Sequence, residues 1–334
     1  MELTTVADDE AVVHDGVTVR VHADLAPDTA YELDGFSFRT LPRPGELLAR
    51  FATVNDVHFG ETECGVIAGS DIGPIHRSAP GAAPYPEVMN RGAVADIAAV
   101  EPDAVLVKGD LTSKGTVEEY QAFLDCWAPA FGDRLHHVRG NHDGYYGETF
   151  ASEAPLLVDL PGVRLALLDT TVPLHTPGRV DAAQLEWLGD IAAESDVPVM
   201  VFGHHHVWDP TSGPRPDDFF GIDPDDSARL VDLVAAQPAI VSYSAGHTHR
   251  NRVQRIPTTG DVPWAEVACV KDYPGTWAEY RVFEGGILAV HRRISAPDAL
   301  AWSEQTRDMY AGIYAEYALG RLDERCYAIW PRRR

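Results

Sequence analysis

Five short apolar segments of the chain each run almost directly into Asp, Asn or His side chains, and this feature constrains the fold more than any other. The segments and the clusters after them are 51–54 before Asp56 and His58, 104–107 before Asp110, 135–138 before Asn141, His142 and Asp143, 199–202 before His204, His205 and His206, and 240–245 before His247 and His249. In open α/β sheets, ligands bind in the crevice beyond the carboxyl ends of the strands. The pattern therefore predicts that all five clusters lie at one edge of the sheet structure.

Amphipathic stretches alternate with the apolar segments, and this alternation predicts the class of fold. We expect helices over 117–131, 181–193 and 225–236, and strands over 51–54, 104–107, 135–138, 165–168, 197–202 and 239–243. Such alternation is typical of an α/β domain in which helices cover the faces of a sheet. The Gly- and Pro-rich stretches 60–86 and 207–226 are longer than ordinary connections, so we expect these loops either to carry function or to be disordered.

The two ends of the chain differ from this central pattern. Residues 1–47 alternate apolar and polar side chains and end in the sequence LPRPG, which predicts a small β subdomain. Residues 297–334 are predicted to form a C-terminal helical extension. Its aromatic stripe is expected to pack on the core, with a homodimer contact or an active-site lid as alternatives. The chain is therefore expected to contain three units, 1–47, 48–296 and 297–334.

The charge balance and the cysteines bear on partners and compartment. With 27 Lys and Arg against 51 Asp and Glu the net charge is −24, which disfavours binding to a nucleic-acid duplex or to anionic membranes. The acidic N-terminus and the lack of a long apolar run predict that the chain has neither a signal peptide nor a membrane span. Four separated cysteines without a CxxC pair predict reduced thiols, so we expect a cytoplasmic protein.

The side chains of the five clusters are typical metal ligands. Their carboxylate, carboxamide and imidazole groups, without sulfur, suit first-row divalent metals such as Mn, Fe, Zn or Co. The candidate ligands are Asp56, His58, Asp110, Asn141, His204, His247 and His249. Seven ligands are too many for one ion, but they suit two ions that share a bridging carboxylate.

The five clusters also carry a resemblance to a known family. Asp-x-His at 56–58, Gly-Asp at 109–110, Gly-Asn-His-Asp at 140–143, Gly-His at 203–204 and Gly-His-x-His at 246–249 occur in this order. The region 51–294 thereby resembles the calcineurin-like metallophosphoesterases. The stretch 109–115 is most similar to their cyclic-nucleotide and glycerophosphodiester phosphodiesterase branch. The N-terminal β segment is similar in position to the β domain of purple acid phosphatases.

The resemblance implies a fold and a metal arrangement. It implies a four-layer α-β-β-α sandwich whose central unit is the catalytic domain. It also implies two metal ions that share Asp110. One ion would be held by Asp56, His58, Asp110 and His249, and the other by Asp110, Asn141, His204 and His247.

One position departs from the family pattern. Ser113 stands where purple acid phosphatases have a metal-bound Tyr, so a coloured Tyr–Fe(III) site is not expected. Many relatives have an Asp there that orients the catalytic histidine. We therefore expect another group, with Asp143 as the candidate, to orient His142.

The resemblance implies hydrolysis of a small phosphate ester by a hydroxide that bridges the two metals and attacks phosphorus in line with the leaving oxygen. His142 is expected to act as the general acid, with Asp143 as a second catalytic residue. Asn141, His142 and His205 are expected to contact the substrate. A phosphodiesterase is favoured, a phosphomonoesterase on the same metals stays open, and a non-catalytic metal-binding scaffold is the alternative from another class.

Overall fold

The computed structural model describes residues 1–67 and 69–332. Within these residues the strands are β1 (Glu2–Val6), β2 (Ala11–Asp15), β3 (Thr18–His22), β4 (Ala30–Leu33), β5 (Phe36–Arg39), β6 (Leu47–Val54), β7 (Ala104–Lys108), β8 (Leu135–Val138), β9 (Leu156–Leu160), β10 (Val163–Leu167), β11 (Val199–Phe202), β12 (Ile240–Ala245), β13 (Arg252–Arg255), β14 (Pro263–Glu266), β15 (Thr276–Phe283), β16 (Gly286–Arg293) and β17 (Cys326–Ile329). The helices are α1 (Tyr85–Ala99), α2 (Val117–Phe131), α3 (Asn141–Gly144), α4 (Ala182–Glu194), α5 (Pro224–Ala236), α6 (Pro297–Gln305), α7 (Tyr314–Leu319) and α8 (Leu322–Arg325). All six predicted central strands and all three predicted helices are present. Their boundaries are shifted by at most two residues, except that β6 begins four residues earlier than predicted, at Leu47.

Two mixed six-stranded sheets form the centre of the molecule. Their strand orders are β17-β16-β15-β6-β7-β8 and β13-β14-β12-β11-β10-β9. Neighbouring strands β6, β7 and β8 are parallel in the first sheet, as are β10, β11 and β12 in the second. The strands that precede the five polar clusters therefore all belong to these parallel sets.

The two sheets pack face to face and each is covered by helices on its outer side. Alternate side chains of β6 point to opposite faces, as the pleat of a strand requires. Phe51 packs between the sheets against Phe202, whereas Val54 packs in the cluster that contains Phe123 and Trp127 of α2. Helices α4 and α5 cover the other sheet. The predicted four-layer α-β-β-α sandwich is confirmed.

Strands β15 and β16 were not predicted, although at eight residues each they are among the longest. Both are almost completely buried, but their sequences carry charged side chains that interrupt the apolar pattern. Glu279 forms ion pairs with Arg281 and Arg292, and both arginines also reach Glu10 near the N-terminus. Buried charges are tolerated when they are paired in this way, so a polar sequence here forms the middle of a sheet.

The N-terminal residues form the predicted β structure, with β1–β3 as one sheet and β4–β5 as a hairpin. Leu3, Val6 and Val13 pack in one apolar cluster with Leu288 and Val290 of β16. This apolar contact holds the N-terminal β segment against the core. The division of the chain into three units stays a prediction.

The expectation of a purely helical C-terminal extension is wrong in one element. Helices α6, α7 and α8 are followed by strand β17, which pairs antiparallel with β16 and forms the edge of a central sheet. The short sequence Cys326–Ile329 has a free sheet edge to pair with, which a local sequence pattern does not reveal. Arg333 and Arg334, the last residues of the predicted extension, lie outside the described residues.

The aromatic stripe of the C-terminal segment packs mainly on the core. Trp302, Met309 and Tyr314 are buried, whereas Ile313 and Tyr317 are 65% and 42% exposed. Most of the apolar surface that suggested a homodimer contact is therefore covered by this chain itself, and the oligomeric state stays a prediction. In the described part of the chain, every helix is too short or too polar to cross a bilayer.

We expect the free energy of unfolding to fall as the pH drops from about 6.5 towards 4, because the folded chain holds neutral histidines that the unfolded chain protonates. Burial, with Arg293 nearby, lowers the pKa of His14 to about 3, and burial also lowers the pKa of His291 to about 3. Urea unfolding at pH 7 and pH 4.5 measures the difference. Each of the variants His14→Gln and His291→Gln should reduce the difference in unfolding free energy between the two pH values by about 2 kcal/mol.

Equal pH dependence in the native chain and in both buried-site variants would contradict the prediction.

Candidate metal centre

The polar clusters meet where the carboxyl ends of the parallel strands approach one another. Asp56 and Asp110 follow β6 and β7 of one sheet, while His204 and His249 follow β11 and β12 of the other. Asp56, Asp110 and His204 have ligand atoms within 4.8 Å of one another, and so do Asp56, His58 and His249. The face-to-face packing of the two sheets thus brings together side chains that are up to 193 positions apart in sequence.

Asp110 occupies the middle of this arrangement. Its Oδ2 lies 3.4 Å from His58 Nε2 and 3.3 Å from His204 Nε2. Its Oδ1 accepts a hydrogen bond from the backbone N–H of His142 at 2.9 Å. A single carboxylate oxygen therefore faces one imidazole from each half of the site.

Two further candidate oxygen ligands, from Asp56 and Asn141, flank Asp110. Asp56 Oδ1 lies 3.4 Å from His249 Nε2, and the backbone N–H of His247 donates to the same carboxylate. Asn141 Oδ1 lies 3.1 Å from His204 Nε2, while its amide nitrogen donates to Tyr145 Oη at 2.6 Å. The hydrogen bond to Tyr145 turns the Asn141 oxygen towards the histidines.

Five of the seven predicted ligands have a left-handed backbone that non-glycine residues rarely adopt. The φ angles are 53° at Asp56, 48° at His58, 50° at Asp110, 67° at His247 and 54° at His249. Each such conformation costs of order 1–3 kcal/mol and persists only where the surroundings enforce it. Concentration of this strain on the candidate ligands is typical of a functional site.

Two glycines of the motifs allow the close approach of the loops. Gly109 has a φ of 87°, and a Cβ there would lie 2.6 Å from His204 Nδ1. A Cβ on Gly140 would collide with the carboxylate of Asp110. Any larger residue at either position would displace a candidate ligand.

Backbone carbonyl groups hold two of the histidines in the half of the site that contains His204. His204 Nδ1 lies 2.9 Å from the carbonyl oxygen of Lys108, and His247 Nε2 lies 2.9 Å from that of Phe220. A neutral imidazole carries one proton, so a ring that donates it to the carbonyl would keep the other nitrogen as an acceptor for a metal ion; in His204 that nitrogen is Nε2, which faces Asp110. Phe220 belongs to the long loop 207–226, so this loop does contribute to the site.

The surroundings of the His58 ring indicate most directly that a cation binds at this site. Its ring is 4% exposed, and neither Nδ1 nor Nε2 has a hydrogen-bond partner in the structure. A buried polar atom without a partner is costly, and a metal ion beside Nε2 would satisfy it. The donor set, the strained backbone and this unpaired imidazole together fit metal binding.

The carboxylates are ionised at neutral pH. Burial raises the pKa of Asp56, but His249 outweighs this effect and lowers the pKa to about 2. Burial also raises the pKa of Asp110, but His204 and His142 outweigh this effect and hold the pKa well below its usual value. The site therefore presents at least two negative charges to a cation.

His142 lies beside these ligands and faces a cleft. Its Nδ1 is 2.6 Å from the backbone carbonyl oxygen of Ser113, and its ring centroid is 4.5 Å from that of His58. The carbonyl accepts the Nδ1 proton and leaves Nε2 free. A main-chain group thus takes the orienting place that an Asp side chain fills in many relatives.

The expectation that Asp143 orients His142 is wrong. The Asp143 carboxylate accepts hydrogen bonds from the backbone N–H groups of Leu111, Thr112 and Gly140 and from the Thr112 hydroxyl. It therefore ties the loop after β7 to the start of α3, and it has no contact with the His142 ring among the hydrogen bonds of the described residues.

His205 also differs from its expected role. Its Nδ1 lies 2.7 Å from Thr170 Oγ1 and its Nε2 lies 2.9 Å from the carbonyl oxygen of Thr176, and the residue is fully buried. Both nitrogens already have protein partners, so His205 lies behind His204 and His247 rather than facing a substrate.

A cleft of about 360 Å³ opens beside His58, His142 and His249. Lys114, from the loop after β7, and Tyr310, from the C-terminal segment, also line it. The sequence analysis assigned neither residue to the site: Lys114 was noted only as part of the stretch 109–115, and Tyr310 only as part of the C-terminal aromatic stripe.

The three lysines of the chain, Lys108, Lys114 and Lys271, all lie at or beneath this site. Lys108 is fully buried, and its Nζ donates to the Ala245 carbonyl oxygen at 2.8 Å and to Ser244 Oγ at 3.0 Å. It thereby connects β7 with β12, and burial lowers its pKa to about 7. Lys114 and Lys271 line the cleft.

Comparison with known sequences identifies relatives. The sequence profile described as calcineurin-like phosphoesterase matches residues 49–251. A cAMP/cGMP dual specificity phosphodiesterase of Mycobacterium tuberculosis is 32% identical over 118 residues, which cover 32% of this chain and 37% of that enzyme. A glycerophosphodiester phosphodiesterase of Enterobacter lignolyticus is 29% identical over 164 residues, which cover 44% of this chain and 56% of that enzyme. The aligned regions span less than two thirds of both relatives.

A solved structure shares the architecture. A dimetal phosphatase from Danio rerio matches 74% of this chain and 97% of its own chain, with a TM-score of 0.54 and 15% identity. At this level of identity the likeness establishes the fold.

Proposed function

Because the chain belongs to the calcineurin-like phosphoesterase family, we propose that it is a metal-dependent hydrolase of phosphodiesters. The observation that carries the proposal is the position of Asp110 Oδ2, which faces both His58 Nε2 and His204 Nε2 at 3.4 and 3.3 Å. A carboxylate in this place suits the bridging ligand of two cations. Besides Asp110, one cation would be held by Asp56, His58 and His249, and the other by Asn141, His204 and His247.

Two divalent cations held there would activate a water for attack on phosphorus and offset the charge of the phosphate oxygens. This attraction is needed, because the chain has a net charge of −24 and would otherwise repel an anionic substrate.

His142 is proposed as the general acid that protonates the leaving oxygen. The Ser113 carbonyl accepts the Nδ1 proton, so the proton on Nε2 of the imidazolium is the one available for transfer. The ring lines the cleft, where a leaving group would be placed. Asn141, beside it, is the second residue we propose to contact the substrate.

The charges of the cleft favour a diester over a monoester. The Lys271 ammonium group is already paired with Glu61 and Asp272, whereas the Lys114 ammonium group forms no ion pair with a carboxylate of the described residues. The single unpaired ammonium group of Lys114 suits the one negative charge of a diester better than the two negative charges of a monoester. The two enzymes named above act, by their names, on phosphodiesters, and we propose cyclic nucleotides and glycerophosphodiesters as the substrates to test first.

Hydrolysis of bis(p-nitrophenyl) phosphate should be lost after chelation and restored by Mn²⁺, because the cations would activate the attacking water and offset the negative charge of the phosphate oxygens. Activity on this diester should exceed that on p-nitrophenyl phosphate by about tenfold, equivalent to about 1.4 kcal/mol in the barrier. Release of p-nitrophenol measures both rates in the full chain.

A faster monoester reaction would favour the phosphomonoesterase alternative. Absence of hydrolysis with Mn²⁺, Fe²⁺, Zn²⁺ or Co²⁺ on either compound would contradict the proposal and favour the metal-binding scaffold. A panel of cyclic nucleotides and glycerophosphodiesters then distinguishes the two candidate substrate classes.

A further inference from the structure

A lysine and two carboxylates that belong to none of the five motifs lie next to one half of the candidate metal centre, and the lysine and one of the carboxylates also line the cleft. Lys271 Nζ is 3.0 Å from Glu61 Oε1 and 2.9 Å from Asp272 Oδ2. The three side chains are 5%, 16% and 1% exposed, in that order. Burying three charges is unfavourable unless they are paired, and even paired they are weak evidence for a purely stabilising role.

Each carboxylate faces one histidine of the same half. Glu61 Oε2 lies 3.4 Å from His58 Nδ1, and neither atom has a hydrogen-bond partner in the structure. Asp272 forms a group with His249 and Cys269 in which the ligand-capable atoms lie within 4.8 Å of one another. A carboxylate against a metal-binding histidine orients the ring and raises its basicity.

The opposite half is held differently. His204 and His247 contact the carbonyl oxygens of Lys108 and Phe220, which are neutral acceptors. The Asp56 half therefore has two carboxylates and one ammonium group behind its histidines, and the Asn141 half has uncharged backbone groups.

Lys271 and Asp272 are themselves fixed by the C-terminal segment. The Tyr314 hydroxyl donates to Asp272 Oδ1 at 2.5 Å, and Trp302 Nε1 donates to the carbonyl oxygen of Lys271 at 2.9 Å. Both aromatic residues, and Lys271 itself, lie outside the region 49–251 that matches the family profile. The part of the chain beyond that region therefore holds Lys271 and Asp272 in place next to the candidate metal centre.

We propose that Lys271 is a positioning residue for the Asp56 half of the metal centre. By binding Glu61 and Asp272 together, it holds one carboxylate against His58 and the other beside His249, so that both imidazoles are presented to the same cation. The proposal rests on the metal pair of the proposed function. It adds that the affinity for one cation depends on the carboxylates beside its histidines, whereas the affinity for the other does not. Without the ammonium group, two buried carboxylates would repel each other and lose their positions.

Titration of the metal-free full chain with Mn²⁺, with free Mn²⁺ followed by electron paramagnetic resonance, tests this proposal without measuring activity. Lys271→Met should weaken one of two bound ions by about 10–100-fold and leave the other unchanged, as expected for loss of a group that orients a ligand. Lys114→Met is the matched control, because Lys114 lines the same cleft but its ammonium group forms no ion pair among the described residues. This variant should bind both ions as the native chain does.

Wild-type affinity for both ions in a folded Lys271→Met chain would overturn the proposal while leaving the proposed function intact. Failure of the native chain to bind Mn²⁺ would overturn both. If thermal melting shows that Lys271→Met is unfolded, Glu61→Gln replaces it, because this variant removes the charge that faces His58 and keeps the lysine. It should weaken the same single ion, and unchanged binding of both ions would again overturn the proposal.

Discussion

Replacing His142 by alanine should lower kcat by about 10²–10⁴-fold while both cations stay bound, because a general acid is removed without removal of a ligand. The imidazole lines the cleft, and Nδ1 is held by the Ser113 carbonyl oxygen at 2.6 Å. Steady-state kinetics with a diester substrate gives kcat, and elemental analysis of the same preparation gives the metal content.

Ser113→Ala is the control for this result. The group that contacts His142 is the main-chain carbonyl of Ser113, which alanine retains. Activity of the Ser113→Ala variant should stay within about twofold of the native value, equivalent to about 0.5 kcal/mol. Loss of metal from His142→Ala would contradict the assignment, since it would make His142 a ligand.

Replacing Asp110 by asparagine should abolish binding of at least one cation and lower activity by about 10³-fold, because metal ions contribute several kcal/mol to the stabilisation of transition-state charge. Asparagine has nearly the same shape but lacks the negative charge that Asp110 presents between His58 and His204. Metal titration and diester hydrolysis measure the two effects on one preparation.

Asp169→Asn serves as the comparison. Asp169 follows β10 in the same way that Asp110 follows β7, but its carboxylate is bound to Arg139 at 2.6 Å. The Asp169→Asn chain should keep both cations, although its melting temperature can decrease. Two tightly bound cations in Asp110→Asn would exclude the bridging role of this residue.

Much of the central fold was predictable because it depends on local patterns. The alternation of apolar strands and amphipathic helices predicted the central strands and α2, whose first turn is capped by the Thr116 side chain accepting from the Glu119 N–H. Strand β15 was not predicted, because Glu279 and Arg281 interrupt its apolar pattern. Their partners on other elements, Arg50 for Glu279 and Glu10 for Arg281, are far away in sequence. Strand β17 escaped because it is short and depends on the free edge of β16.

The candidate ligands were predictable for a different reason. A ligand at the end of a strand is specified by residues next to it, such as Gly109 before Asp110, and the order of five such clusters is visible in the sequence. The structure brings these side chains to one site, and their roles as ligands stay a prediction until metal is measured. The expected roles of Asp143 and His205 were wrong, since both side chains are occupied by hydrogen bonds that sequence proximity does not predict.

The sequence by itself determined which side chains end the strands, because a strand and its following turn are encoded by neighbouring residues. Only the tertiary structure decided which groups contact and orient those side chains. Lys271 meets Glu61 across 210 positions, and the His142 ring meets the carbonyl of Ser113. Every residue has a carbonyl, and any lysine can pair with any carboxylate, so the packing of the two sheets and the C-terminal segment selects these partners.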